Sequence, residues 1–99
     1  MSAMRVMLRA TLDTEKGNEA VRSGKLGEII KETLDHVKPE AAYFLPEHGD
    51  RACLLFFDMK DSSELPLVAE PLFTQLDAKV EVIPAMNAND LQKGLAAIG

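Results

Sequence analysis

The chain of 99 residues has no tryptophan, one tyrosine and one cysteine. A lone thiol, Cys53, makes no internal disulfide and supplies no metal-ligand cluster, so the fold must rest on ordinary packing. Its longest apolar run centres on Cys53 to Phe57, far short of the roughly 20 residues needed to span a bilayer. There is no Gly/Ser linker, low-complexity stretch or internal repeat, which excludes a repeat array. Basic charge is also scarce. Eleven Lys and Arg stand against 16 Asp and Glu, a formal charge of −5, and the basic residues are interleaved with acids and form no cluster. A nucleic-acid binder needs a basic stripe to neutralise phosphates, and an anionic membrane surface makes a similar demand, so neither is an expected partner. The first residues, MSAMRVMLRATLD, alternate arginine with apolar side chains instead of separating a basic region from an apolar one. That pattern differs from a secretory signal, and the expected location is the cytoplasm.

What is present is 46% hydrophobic and 27% charged residues, the balance of one soluble globular domain over residues 1–99. At this length about 65% of the extended chain's surface is buried on folding, which leaves self-association as a natural supplement. From Met4 to Leu12 the residues alternate. Met4, Val6, Leu8, Ala10 and Leu12 share one face, and Arg5, Met7, Arg9 and Thr11 share the other, which predicts a strand. Asp13 and Thr14 offer N-cap oxygens for a polar helix that reaches a weak point at Ser23-Gly24. Leu26, Ile29, Ile30, Thr33, Leu34 and Val37 then recur at helical spacing up to Pro39.

Ala41 to Pro46 and Ala52 to Met59 read as antiparallel strands joined through His48-Gly49. With those two residues in the turn, Leu45 falls opposite Ala52, Tyr43 opposite Leu54 and Phe44 opposite Cys53. The second strand is apolar on both sides, which predicts a place inside the sheet. Asp61 and Glu64 stand at capping-box spacing for a further helix, with a kink or break expected near Glu70-Pro71. Lys79 to Ala85 reads as an edge strand. Asn87 or Asn89 caps a short last helix whose Leu91, Leu95 and Ile98 form one stripe.

The element order predicts a ferredoxin-like βαββαβ domain: a four-stranded antiparallel sheet in order 4-1-3-2, both crossovers right-handed, the main helices on one face, and a terminal helix added. The other face then carries one side of the CLLFF strand together with Met7. An exposed apolar face of that size marks an association surface, and two sheets meeting face to face would cover it.

The run RACLLFFDMKDSSELPLVAEPLFTQLDAKVEVIPAM, residues 51 to 86, resembles the muconolactone-isomerase-like proteins of the dimeric α+β barrel superfamily. The resemblance rests on Phe57-Asp58, Pro71-Leu72-Phe73 and Val80-Glu81-Val82. The segments PEAAYF, AEPLF and AKVEV are similar to short bacterial members of the same superfamily. These pieces cover about a third of the chain and are structural junctions, so no catalytic residue is carried over and fold-level likeness names no reaction. The resemblance implies a homodimer whose sheets form a barrel, with a cavity inside it or under the helices. It also implies isomerase or cofactor-free oxygenase chemistry on a small apolar or aromatic molecule bearing an acid or carbonyl group. Without tryptophan the chain lacks the aromatic equipment of some haem-degrading relatives, and no cofactor is expected.

The candidate site residues follow from the strand faces. Arg5 and Arg9, at i and i+4, point the same way about 13 Å apart along a central strand. They are candidates to hold an anion through bidentate bonds, or to pair with carboxylates such as Glu81. Met7 and Phe57 are candidate apolar walls. Tyr43 is a candidate to position or protonate an oxygen, and Glu81 a candidate general base if burial raises its pKa. His36 and His48 have no second ligand at metal spacing, and Cys53 reads as an inert buried thiol. The alternative to a ligand-binding barrel is a structural or interaction module with a dry dimer interface.

Overall fold

The computed structural model describes residues 3–99. Strand β1 (Met4–Thr11) leads through Asp13, whose carboxylate accepts the Lys16 backbone N–H, into α1 (Thr14–Ser23). Gly24, at φ 77°, ends α1 in the left-handed region and lets the chain restart as α2 (Lys25–Val37). The hairpin β2 (Ala41–Glu47) and β3 (Asp50–Met59) turns on His48 and Gly49. Both have positive φ, 53° and 85°, as a two-residue turn matched to strand twist requires. Then follow α3 (Glu64–Leu76), β4 (Lys79–Pro84) and α4 (Ala88–Ile98).

The sheet is antiparallel throughout, in the order β2-β3-β1-β4, which is 4-1-3-2 counted from the opposite edge. The hairpin register pairs Leu45 with Ala52, Tyr43 with Leu54 and Phe44 with Cys53. Between β1 and β3 the pairs are Arg5 with Asp58, Val6 with Phe57, Met7 with Phe56 and Arg9 with Leu54. Strand β4 sets Ile83 beside Met7 and Glu81 beside Arg9. Periodicity in β3, apolar on both sides, could not supply these cross-strand pairs.

The core lies on one side of the sheet. Val6, Leu8, Ala10, Cys53, Leu55 and Phe57 pack there against Ala20 of α1, Ile29 of α2, and Val68, Leu72 and Leu76 of α3. Two local features differ from the simplest sequence reading: the cap of α3 and the break at Pro71. The helix α3 begins at Ser63 without a side-chain cap; Asp61 instead accepts from the Ser63 backbone N–H and hydroxyl, an Asx turn ahead of the helix that holds the Asp61 carboxyl below its usual range. Pro71 lies inside α3 without breaking it. The buried stripe of Val68, Leu72 and Leu76 spans the proline on both sides, and its packing outweighs the one backbone bond that the proline removes.

The molecule measures 54 × 28 × 17 Å with a radius of gyration of 15.2 Å, above the approximately 13 Å of a compact domain of this length. The excess has a clear source. Every residue of α4 is exposed, and among the described residues the helix forms no extensive interface with another element.

Phe57 is 1% exposed at the centre of the core. Phe57→Ala is expected to cost about 3–5 kcal/mol by the cavity it leaves, read from chemical denaturation. A loss below about 1 kcal/mol would contradict this placement.

Candidate functional site

The face of the sheet turned away from the helices is the candidate site. It is built by parity: Arg5, Met7, Arg9 and Thr11 from β1, and Ala52, Leu54, Phe56 and Asp58 from β3. On the same face stand Ala41, Tyr43 and Leu45 from β2, with Glu47 beyond them paired to Asp50, and Lys79, Glu81 and Ile83 from β4. Met7, Leu54 and Phe56 form an apolar floor across the two central strands and are half-buried in the single chain. Ile83 and Tyr43 flank it on opposite edge strands, and Tyr43 is 59% exposed.

Arg5 and Arg9 do lie on this one face, with Met7 between them. Each is engaged twice. Arg5 Nε donates to Glu40 Oε1 at 2.6 Å and its Nη1 to Asp90 Oδ2 at 2.6 Å. Arg9 Nε lies 3.1 Å from Glu47 Oε2 and its Nη1 lies 3.8 Å from Glu81 Oε1. The Arg9 Nε and Glu47 Oε2 atoms are both shielded from solvent, and their alignment falls short of a hydrogen bond, so the contact is an ion pair. At either end of the face one guanidinium therefore meets two carboxylates. The Glu40 carboxylate, followed by that of Asp90, pushes Arg5 further above its already high pKa.

Phe57, expected beside these residues, is on the other side. It faces the helices because it pairs with Val6, one position out of phase with Met7. The residue that joins the floor is its neighbour Phe56. Sequence reasoning also missed Glu40, Glu47 and Asp90 as arginine partners. Glu47 was within reach, since it shares the parity of Tyr43, but its approach to Arg9 crosses β3 and needs the β1–β3 register. Asp90 carried no such signal. It caps α4, with the Asn87 side chain accepting the Asp90 N–H and Asp90 accepting the Asn87 N–H, and it is brought to Arg5 by the path of the chain after β4.

Glu81 is exposed at the edge. It sits in the outer part of the Arg9 cluster, without the burial that proton abstraction by a carboxylate requires. Around the Arg5 end opens a cleft of about 590 Å³ in which Arg5, His36, Lys38 and Lys60 face Glu40, Asp58 and Glu64. Its charges are mixed, with no excess of either sign to select an ion. Cys53 is on the helix side, where burial pushes its thiol up and away from the reactive thiolate. Among the described residues no group of three or more His, Cys, Asp or Glu side chains is arranged to hold a metal ion, and no helix is long and apolar enough to cross a membrane.

No protein-family profile, curated protein or solved structure matches the chain.

Two outcomes follow from this geometry. Arg9→Met keeps the side chain's apolar stem and removes its charge, leaving Glu47 Oε2 shielded without a cation. The expected loss is about 1–3 kcal/mol, measured by denaturation, and a neutral result would make the cluster dispensable. Asp90 is held below the usual carboxylate range by the Asn87 backbone N–H, with Arg5 adding to the effect. The folded form thus binds this proton less readily than the unfolded one, so its contribution is present above the unfolded pKa and lost as pH falls through the folded value. The α4 amide signals are expected to hold at neutral pH and shift only below the ordinary aspartate range. Asp90→Asn should abolish that acid step, and an unchanged titration in the variant would refute the assignment.

Proposed function

We propose that the chain is a self-associating module, its open sheet face closing against the same face of a second copy to form a homodimer without catalytic machinery. The observation that carries this reading is the pairing of both arginines. An anion site at the centre of this face needs a central cation free to meet its substrate, whereas Arg5 and Arg9, the cations of the central strand β1, are each matched by two carboxylates of their own chain. Between them lies the half-buried floor of Met7, Leu54 and Phe56 with Ile83 and Tyr43 beside it. Apolar side chains at the centre with charges at the margin are the distribution of a protein interface. Two such sheets stacked at about 10 Å interdigitate their side chains. The same arrangement is what the resemblance to the dimeric α+β barrel proteins implies.

A second reading is favoured by Tyr43, whose ring is largely exposed beside the floor. In it the two faces enclose a small apolar or aromatic molecule bearing an acid or carbonyl group, which is bound, isomerised or oxidised, with Tyr43 orienting the oxygen and the acid exchanging for Glu81 at Arg9. The superfamily resemblance supplies the reaction class.

Native mass spectrometry of the freshly purified protein separates these readings. A dimer of bare polypeptide mass, converted to monomer by Phe56→Asp, is the expected result. A dimer that retains an additional small mass would move the conclusion to the enclosed-ligand reading. A wild-type monomer at micromolar concentration would overturn both.

A further inference from the structure

The helix α4 presents a second unpartnered apolar surface. Leu91, Leu95 and Ile98 fall on one stripe and are 46%, 56% and 83% exposed. An isolated helix of 11 residues is marginal in water, since packing of an apolar face supplies most helical stability. This one also contains Gly94, which weakens a helix interior. Its capping box and the Arg5–Asp90 ion pair hold the first turn only. The remaining turns need a surface, and within the single chain every residue of α4 stays exposed.

Resting on the sheet-face dimer above, we propose that α4 is an intermolecular arm whose Leu91-Leu95-Ile98 stripe packs on the second copy of this chain. The occupant follows from continuity. Asp90 ties the root of α4 to Arg5, and Arg5 belongs to the sheet face that the second copy covers. The two apolar surfaces are therefore tied together at one residue, and a single second copy is the occupant that can cover both. On the helix surface the stripe lies about a quarter turn from Asp90, so the ion pair fixes the arm's root while leaving its apolar side free to bind. The polar and charged residues Asn89, Gln92 and Lys93 lie off the stripe and remain in water. By two-fold symmetry each copy gives one arm and receives one, which extends the shared apolar surface beyond the sheet.

The test compares wild type, Phe56→Asp, the triple variant Leu91→Ser/Leu95→Ser/Ile98→Ser and the control Lys93→Ala by sedimentation across a dilution series, with hydrogen exchange of residues 88–98. The substituted α4 side chains are exposed within one chain, so the domain still folds, and circular dichroism checks this. The triple variant is expected to raise the dimer dissociation constant at least tenfold and to remove exchange protection from α4. Lys93→Ala should match wild type, and dilution of wild type below its dissociation constant should expose α4 while the sheet stays protected. A wild-type dimer lost on Phe56→Asp but unaffected by the triple variant would overturn the arm and leave the sheet-face dimer standing. A monomeric wild type would overturn both.

Discussion

The alternation of β1 is the constraint on which the rest of the structure depends. Valine, leucine and alanine at positions 6, 8 and 10 point to the helices, and arginine, methionine and arginine at 5, 7 and 9 point away. Because a strand has a period of two, a shift of one residue would bury both guanidinium groups and expose the core. The register is therefore held by the cost of burying charge as much as by the gain from burying valine and leucine. With β3 on one side and β4 on the other, β1 imposes its two faces on the whole sheet.

Once the helices occupy one face, the other becomes the molecule's unresolved surface in a physical sense: apolar at the centre, ionic at both ends. The ionic ends are built from distant parts of the chain. Glu40 comes from the entry to β2, Glu47 from its end, Glu81 from β4 and Asp90 from α4. Apart from the shielded Arg9–Glu47 contact, these exposed ion pairs contribute little to stability individually, and their value lies in position. They neutralise arginines that a central strand carries out of the core, frame the apolar floor, and fasten the start of α4 to the sheet. The sheet face and α4 are thus tied to each other through Arg5.

The legible part of the fold came from residues with a local physical consequence. Gly49 marked a turn conformation that other side chains avoid, Ser23-Gly24 marked a weak point between helices, Asp13 and the pair Asn87 and Asn89 marked helix starts, and the spacing of Leu26 through Val37 marked a helix face. The sharing of one β1 face by Arg5, Met7 and Arg9, and of one β4 face by Glu81 and Ile83, was equally legible, because parity is local to a strand. Phe57 was not. In CLLFF both parities are apolar, and only pairing with Val6 assigns one phenylalanine to the core and the other to the open face. At Pro71 the helix does not break, since the local hydrogen-bond penalty is outweighed by the burial of Val68, Leu72 and Leu76 around it.

The sequence by itself determined the element order, the hairpin register, the charged side of β1 and the apolar stripe of α4, since each depends on periodicity, turn chemistry or capping within a short stretch. Only the tertiary structure decided which carboxylates neutralise Arg5 and Arg9, which phenylalanine faces outward, and that α4 stands clear of its own domain. These depend on residues up to 85 positions apart, as between Arg5 and Asp90. Contacts across such separations follow from the path of the chain through space, and no local pattern encodes that path.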